Sequence, residues 1–156
     1  MEPEAAIDDY GSFVGMLGIG AMLIMSAVGS TVGATVCASS ATMVVGKRAD
    51  LLVSAYIPIL MASTCFLYAI VVTMFVMYKI TLDYTIADGM RDGLACLTYG
   101  VAALFGGASL GALNKKTLLR LSEDRKFFLP FVLLNATMEV PMLFALLCAL
   151  IAVNAK

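Results

Sequence analysis

Four long runs in this chain carry little or no charge, and they decide what it can fold into. Phe13–Gly46, Leu51–Tyr78 and Gly93–Asn114 contain no Asp, Glu, Lys or Arg, and Phe127–Ala155 contains only Glu139. Each run exceeds the ~20 apolar residues that carry a helix across a bilayer. The chain is 62% hydrophobic and 13% charged, with a mean hydropathy of +0.97, far from a soluble domain. At 156 residues the connections are short. The expected fold is all-α, an integral membrane protein of four helices.

The basic residues set the expected orientation. Lys47 and Arg48 lie in the first connection, and Lys115, Lys116, Arg120, Arg125 and Lys126 in the third. Lys79, Arg91 and Lys156 fall on the other side. By the positive-inside rule the first and third connections are cytoplasmic. The reading places an N-terminal tail at 1–10 on the non-cytoplasmic side. A first hairpin follows at 11–80, with spans at about 11–46 and 51–80. A non-cytoplasmic loop takes 81–92, and a second hairpin 93–155, with spans at about 93–119 and 126–153. The start of the chain, Met1-Glu-Pro-Glu-Ala-Ala-Ile-Asp-Asp9, has four acids and no base, unlike the positive leading region of a cleaved signal.

Glu139 is the chemically telling residue. Insertion scales put an acidic side chain at a helix centre at roughly 2.5–3.5 kcal/mol, and intramembrane acids mark ion pathways or proton relays. Other chemistries find no support. Cys37, Cys65, Cys96 and Cys148 fall one per helix without metal-type spacing, and read as soft packing residues. There is no His, the commonest metal ligand and neutral-pH proton shuttle. No phosphate-binding loop or nucleophile with its base is present, so neither ATP nor nucleic acid is an expected ligand of this chain, and no cofactor or metal is expected.

The 13 glycines all fall in helices 1 and 3 or at their ends. Gly29–Gly33 and Gly107–Gly111 have the small-xxx-small spacing that lets helix backbones approach in lipid. Helices 2 and 4 carry bulky residues instead. Helices 1 and 3 are therefore expected to form a tight inner layer, with 2 and 4 outside against lipid. The same division shows a repeat. Ala27-Val-Gly-Ser-Thr-Val-Gly-Ala34 aligns with Phe105-Gly-Gly-Ala-Ser-Leu-Gly-Ala112, and Tyr68-Ala-Ile-Val with Phe144-Ala-Leu-Leu. The chain reads as a duplicated helical hairpin in which Glu139 falls opposite Ser63.

Several segments in this order resemble a known family. They are Ser26-Ala-Val-Gly29 with Gly33, Ile57-Pro-Ile-Leu-Met-Ala62 with Tyr68 ten residues after Pro58, and Glu139-Val140 followed by the aliphatic run Ala145–Ile151. Together they resemble the 16 kDa proteolipid of the vacuolar-type (V-type) proton-translocating ATPase. The chain departs from that pattern at Pro141 and Phe144, where the family has glycines and a tyrosine, and in the connection Lys115–Lys126. The resemblance implies a ring built from copies of this chain or related proteolipids. It implies a stator subunit bearing an essential arginine, and central-stalk subunits at the cytoplasmic loops. It further implies a multi-pass protein of a vacuolar, lysosomal or other acidic membrane, with no catalytic centre of its own.

A glutamate facing lipid prefers to be neutral, and ionises near water or a positive partner. A site alternating between these surroundings exchanges one proton per visit. Moving a unit charge against a potential costs about 2.3 kcal/mol per 100 mV. The resemblance implies that ATP hydrolysis in other subunits supplies that work. Candidate neighbours are Asn135, one turn before Glu139 on the same face, Ser63 and Thr64 on helix 2, and Pro141. Asn135 either donates to Glu139 or ties helix 4 to a neighbour. Pro141 either frees the Thr137 carbonyl for the protonated carboxyl or is a tolerated kink.

A proton is favoured over sodium, because the chain has no Gln and Phe144 replaces a tyrosine. A channel or structural four-helix protein, in which Glu139 lines a pore or bonds helices, is the alternative class. A repeat-built small-molecule transporter is a further one, though such proteins use helices broken at the midplane.

Overall fold

A computed structural model of the chain describes residues 3–80 and 84–155; Met1, Glu2, the loop residues Thr81–Asp83 and Lys156 lie outside it. The architecture is four helices: α1 (Pro3–Lys47), α2 (Leu52–Lys79), α3 (Ile86–Glu123) and α4 (Phe128–Asn154). Single 3-10 turns, Ala49–Leu51 and Arg125–Phe127, lead into α2 and α4. All four helices are long and apolar enough to cross a membrane.

Local chemistry explains the boundaries. Thr85 stops the extended approach to α3 by accepting the Asp88 N–H at 3.3 Å, which satisfies one of the four free donors of a helix start. Asp124 accepts the Lys126 N–H at 2.9 Å and turns the chain into α4. Lys47 and Lys79 close α1 and α2, where a cation favours the negative helix end. Pro58 and Pro141 lie inside α2 and α4, which continue through them.

Helix and apolar run do not end together. The 45 residues of α1 would span about 67 Å at 1.5 Å per residue, twice the ~30 Å hydrocarbon core. Residues from Pro3 to Tyr10, read from sequence as a tail, have helical backbone, as do Ile86–Asp92 in the expected loop. Charge marks where a chain leaves lipid. It does not stop the backbone from bonding to itself.

The closest backbone approach is between α1 and α3. A Cβ added to Gly18 would stand 2.5 Å from Gly93 Cα, and one on Gly29 would stand 2.7 Å from Leu104 Cα. One on Gly33 would run into the Gly107 carbonyl oxygen, and one on Gly107 into that of Gly29. No side chain fits between these helices. The other two helices lie against this pair and meet each other across a core of Cys65, Ala69, Val72, Cys96, Tyr99, Leu110 and Met142, all buried. A smaller cluster of Val44, Leu51, Ala55, Leu118, Leu121 and Phe131 fills one end. Large apolar side chains project from the outer faces of α2 and α4, among them Leu60, Leu67, Met74, Phe144 and Ile151. The glycine helices also present apolar surface, through Phe13 and Ile24 on α1 and Leu94 and Phe105 on α3.

Polar contacts tie both ends. An ion pair between Arg125 and Asp50 joins the α1–α2 and α3–α4 connections. At the opposite end Asp92 is fully buried. It accepts from Lys79 Nζ at 3.2 Å, Tyr84 Oη at 2.9 Å and Arg91 Nε at 3.5 Å. Lys79 also donates to the Val153 carbonyl, which brings in the end of α4. Burial, and then the bond to Asp92, push the Tyr84 phenol above the usual tyrosine range.

Candidate functional site

Glu139 sits midway along α4, facing α2 across the second helix interface. Thr64 and Tyr68 are four apart on α2, so one face presents both hydroxyls. The Thr64 hydroxyl lies 2.8 Å from Glu139 Oε1 and 2.7 Å from the Met61 carbonyl, so its one proton is shared between them, and Tyr68 Oη donates to the same carboxyl oxygen at 3.3 Å. Among the described residues nothing bonds Oε2. Just beside this pair Cys65 Sγ donates to Met142 Sδ at 3.1 Å, and Tyr99 on α3 donates to the Cys65 carbonyl at 2.7 Å. The α2 turn that carries Thr64 and Tyr68 is thereby fixed from two sides. Glu139 is half-buried, while its chain neighbours Met138 and Val140 are exposed.

This arrangement has a definite geometry. Both hydroxyls converge on one carboxyl oxygen, so that edge of the group is held from α2. The other oxygen is left without a partner among the described residues.

The other candidates separate clearly. Ser63 turns back to the Ile59 carbonyl at 3.0 Å and takes no part in the carboxylate's bonds. Asn135 is fully buried and spends both amide hydrogens away from Glu139, on Asn114 Oδ1 at 3.1 Å and the Phe131 carbonyl at 2.9 Å. Pro141 is exposed on α4, and the Thr137 hydroxyl points to Leu133. Gly29, Gly33, Gly107 and Gly111 lie at the α1–α3 contact, away from the carboxylate's direct bonds. The four cysteines form no disulfide. Among the described residues no group of three or more His, Cys, Asp or Glu is placed to hold a metal ion.

Comparison with known proteins gives the context. The family model for the ATP synthase C-subunit matches residues 17–76. The 16 kDa proteolipid of the V-type proton ATPase from Rattus norvegicus is 24% identical over 143 residues, 92% of this chain and 92% of the relative. The protein of the same description from Ascaris suum is 26% identical, covering 91% and 90% of the two chains. The V-type proton ATPase proteolipid of Dictyostelium discoideum is 22% identical, covering 91% and 74%. The chain is similar to V-type ATPase proteolipids along nearly its whole length, at low identity. The family model falls on α1 and α2, whereas the relatives align along nearly the whole proteolipid.

Tyr68 is the site residue that sequence reasoning missed. It was visible as part of the resemblance, ten residues after Pro58, yet nothing in its helix alone pointed it at a carboxylate 71 positions away. Phe144 has no hydroxyl, and the tyrosine hydroxyl that reaches Glu139 comes from the other hairpin.

Proposed function

We propose that this protein is a proton-carrying rotor subunit in the membrane sector of a V-type ATPase, with Glu139 as the carrier. The observation that supports this best is the pairing of the one acid in α4 with two hydroxyl donors from α2 at a partly open face. Copies of this chain or related proteolipids assemble as a ring. ATP hydrolysis in other subunits turns the ring, bringing each Glu139 in turn past a stator arginine. Facing lipid, the carboxyl holds its proton. Beside the arginine it ionises, and Thr64 and Tyr68 support the charge. One proton moves per four-helix protomer, and the product is an acidified compartment. The chain itself holds no catalytic centre. In this reading the termini and the 81–92 loop are non-cytoplasmic, the central stalk meets the loops rich in Lys and Arg, and the membrane is that of a vacuole, lysosome or other acidic organelle.

Carbodiimides react with protonated carboxyls in apolar surroundings, so labelling of native membranes across pH tests the carrier. Glu139 is expected to be the modified residue, with labelling fading as pH rises and ATP-driven acidification lost in step. Glu139→Gln is expected to abolish acidification while the ring still assembles. Full transport by Glu139→Gln would end this reading and leave the acid as a helix-bonding group.

A second reading, a sodium-carrying rotor, draws on the same geometry. The Thr64 and Tyr68 hydroxyls stand beside the carboxylate as further oxygens. Protection of Glu139 by sodium at fixed pH would favour it over the proton.

A further inference from the structure

Two buried amides face each other between α3 and α4, one turn from the carboxylate. Asn114 Nδ2 donates to Asn135 Oδ1 at 2.6 Å, and Asn135 Nδ2 returns a bond to Asn114 Oδ1 at 3.1 Å. Both residues are fully buried. The remaining N–H of each goes to its own helix, on Leu110 at 2.9 Å and Phe131 at 2.9 Å. Thr117 adds a hydroxyl to Asn114 Oδ1 at 3.3 Å. An amide has two donor hydrogens, and all four here are committed. The pair has no hydrogen left for Glu139.

What it holds is a helix whose own residue pattern does little to orient it. The surface of α4 is apolar nearly all round, from Leu129 and Leu133 to Leu147 and Ile151, so no amphipathic stripe selects its rotation. Lipid supplies no hydrophobic drive between helices, and interhelical hydrogen bonds take over that task. Asn135 precedes Glu139 by four residues, about 6 Å along the axis and about 40° around it. In the helical ladder the Glu139 N–H falls on the Asn135 carbonyl. The bond lost at Pro141 is the one to the Thr137 carbonyl, so the rung from Glu139 to Asn135 is itself kept.

We propose that Asn114 and Asn135 are positioning residues that fix the rotation and height of α4 on α3, so that Glu139 meets Thr64 and Tyr68 on α2. This rests on the carrier reading of Glu139 above. Asn114 thereby acts on the site from a third helix without touching it. The titratable groups beside the carboxyl are Tyr68 and Cys65, both on α2, and the variants below leave them in place.

The test is the pH of half-maximal carbodiimide labelling of Glu139, read by mass spectrometry in native membranes holding the full chain. Asn114→Ala and Asn135→Ala are each expected to extend labelling to higher pH, by about half a unit or more, as the hydroxyl contacts loosen. The double variant is expected to shift by less than the sum, the mark of residues that act as one unit. A shift with Asn135→Ala alone would overturn the clamp, because Asn135 would then act directly. An unchanged midpoint in all three would also overturn it and leave a packing contact. Should the alanine variants fail to accumulate, Asn114→Leu with Asn135→Leu removes both amides and leaves no orphaned polar group. A parental midpoint in that variant overturns the clamp. Absence of pH-dependent labelling in the unaltered chain would instead strike the carrier reading itself, a distinguishable failure that removes the clamp's role with it.

Discussion

The hydroxyl of Thr64 stands 2.8 Å from Glu139 Oε1, although the two residues lie 75 positions apart. The contact joins the first hairpin to the carboxylate of the second. It makes α2 a participant in whatever Glu139 does.

Thr64→Ala is expected to extend carbodiimide labelling of Glu139 to higher pH by about one unit: a hydrogen bond to a charged group contributes about 1.5–3 kcal/mol, a pH unit corresponds to about 1.36 kcal/mol, and the Thr64 proton, shared with the Met61 carbonyl, takes the lower end. Tyr68→Phe should move it the same way by less, because its bond is longer at 3.3 Å. A larger shift from Tyr68→Phe than from Thr64→Ala would contradict the geometry.

The glycines make a contrast that thermal unfolding in detergent can read. Gly33→Ala puts a methyl against the Gly107 carbonyl, where backbone on both sides cannot yield, and should destabilise by about 1–3 kcal/mol. A Cβ at Gly20 meets nothing within 4 Å, so Gly20→Ala should be neutral or stabilise by up to about 1 kcal/mol. Equal losses at the two positions would mean that backbone approach does not govern the α1–α3 contact.

Asp92 is the buried acid outside the candidate site. Asp92→Ala leaves Lys79 without its carboxylate and should cost about 3 kcal/mol, the lower end for a broken buried pair, because Lys79 keeps partial access to water. Lys79→Ala should cost less, since Arg91 and Tyr84 still reach Asp92. Unfolding midpoints of the purified variants check the order.

Tyr84 gives the fold an alkaline limit. Its phenol is held above the usual range by burial and by Asp92, so the folded chain keeps a proton that the unfolded chain sheds near pH ~10. The stabilisation is complete below that pH and declines as pH rises above it. Tyr84→Phe should flatten the fall in unfolding temperature above pH ~10. An identical alkaline slope in the variant would assign the effect to other groups.

The four helices were legible because charge is so unevenly spread: nothing but a span explains Leu51–Tyr78. The confinement of glycine to two segments was equally visible, and those segments make the backbone approach at Gly18–Gly93 and Gly33–Gly107. Pairings between helices were not legible. Asn114 closes an uncharged run next to Lys115 and reads as a boundary residue, yet it is fully buried against Asn135. Lys79 and Arg91 served only to count charge by side, whereas both close on Asp92. Such partners depend on how each helix is rotated. Periodicity gives no rotation for α2 and α4, whose apolar residues leave no face marked.

The hydroxyls and the acid they serve come from opposite halves of the duplicated chain, and this has an evolutionary consequence. A hairpin without its own carboxylate would ordinarily be free to drift, as a spare copy is. If Glu139 is the proton carrier proposed above, a change at Thr64 or Tyr68 would retune a site encoded some seventy codons downstream. On the carrier reading the two halves are mutually dependent parts, and neither alone would hold the whole site.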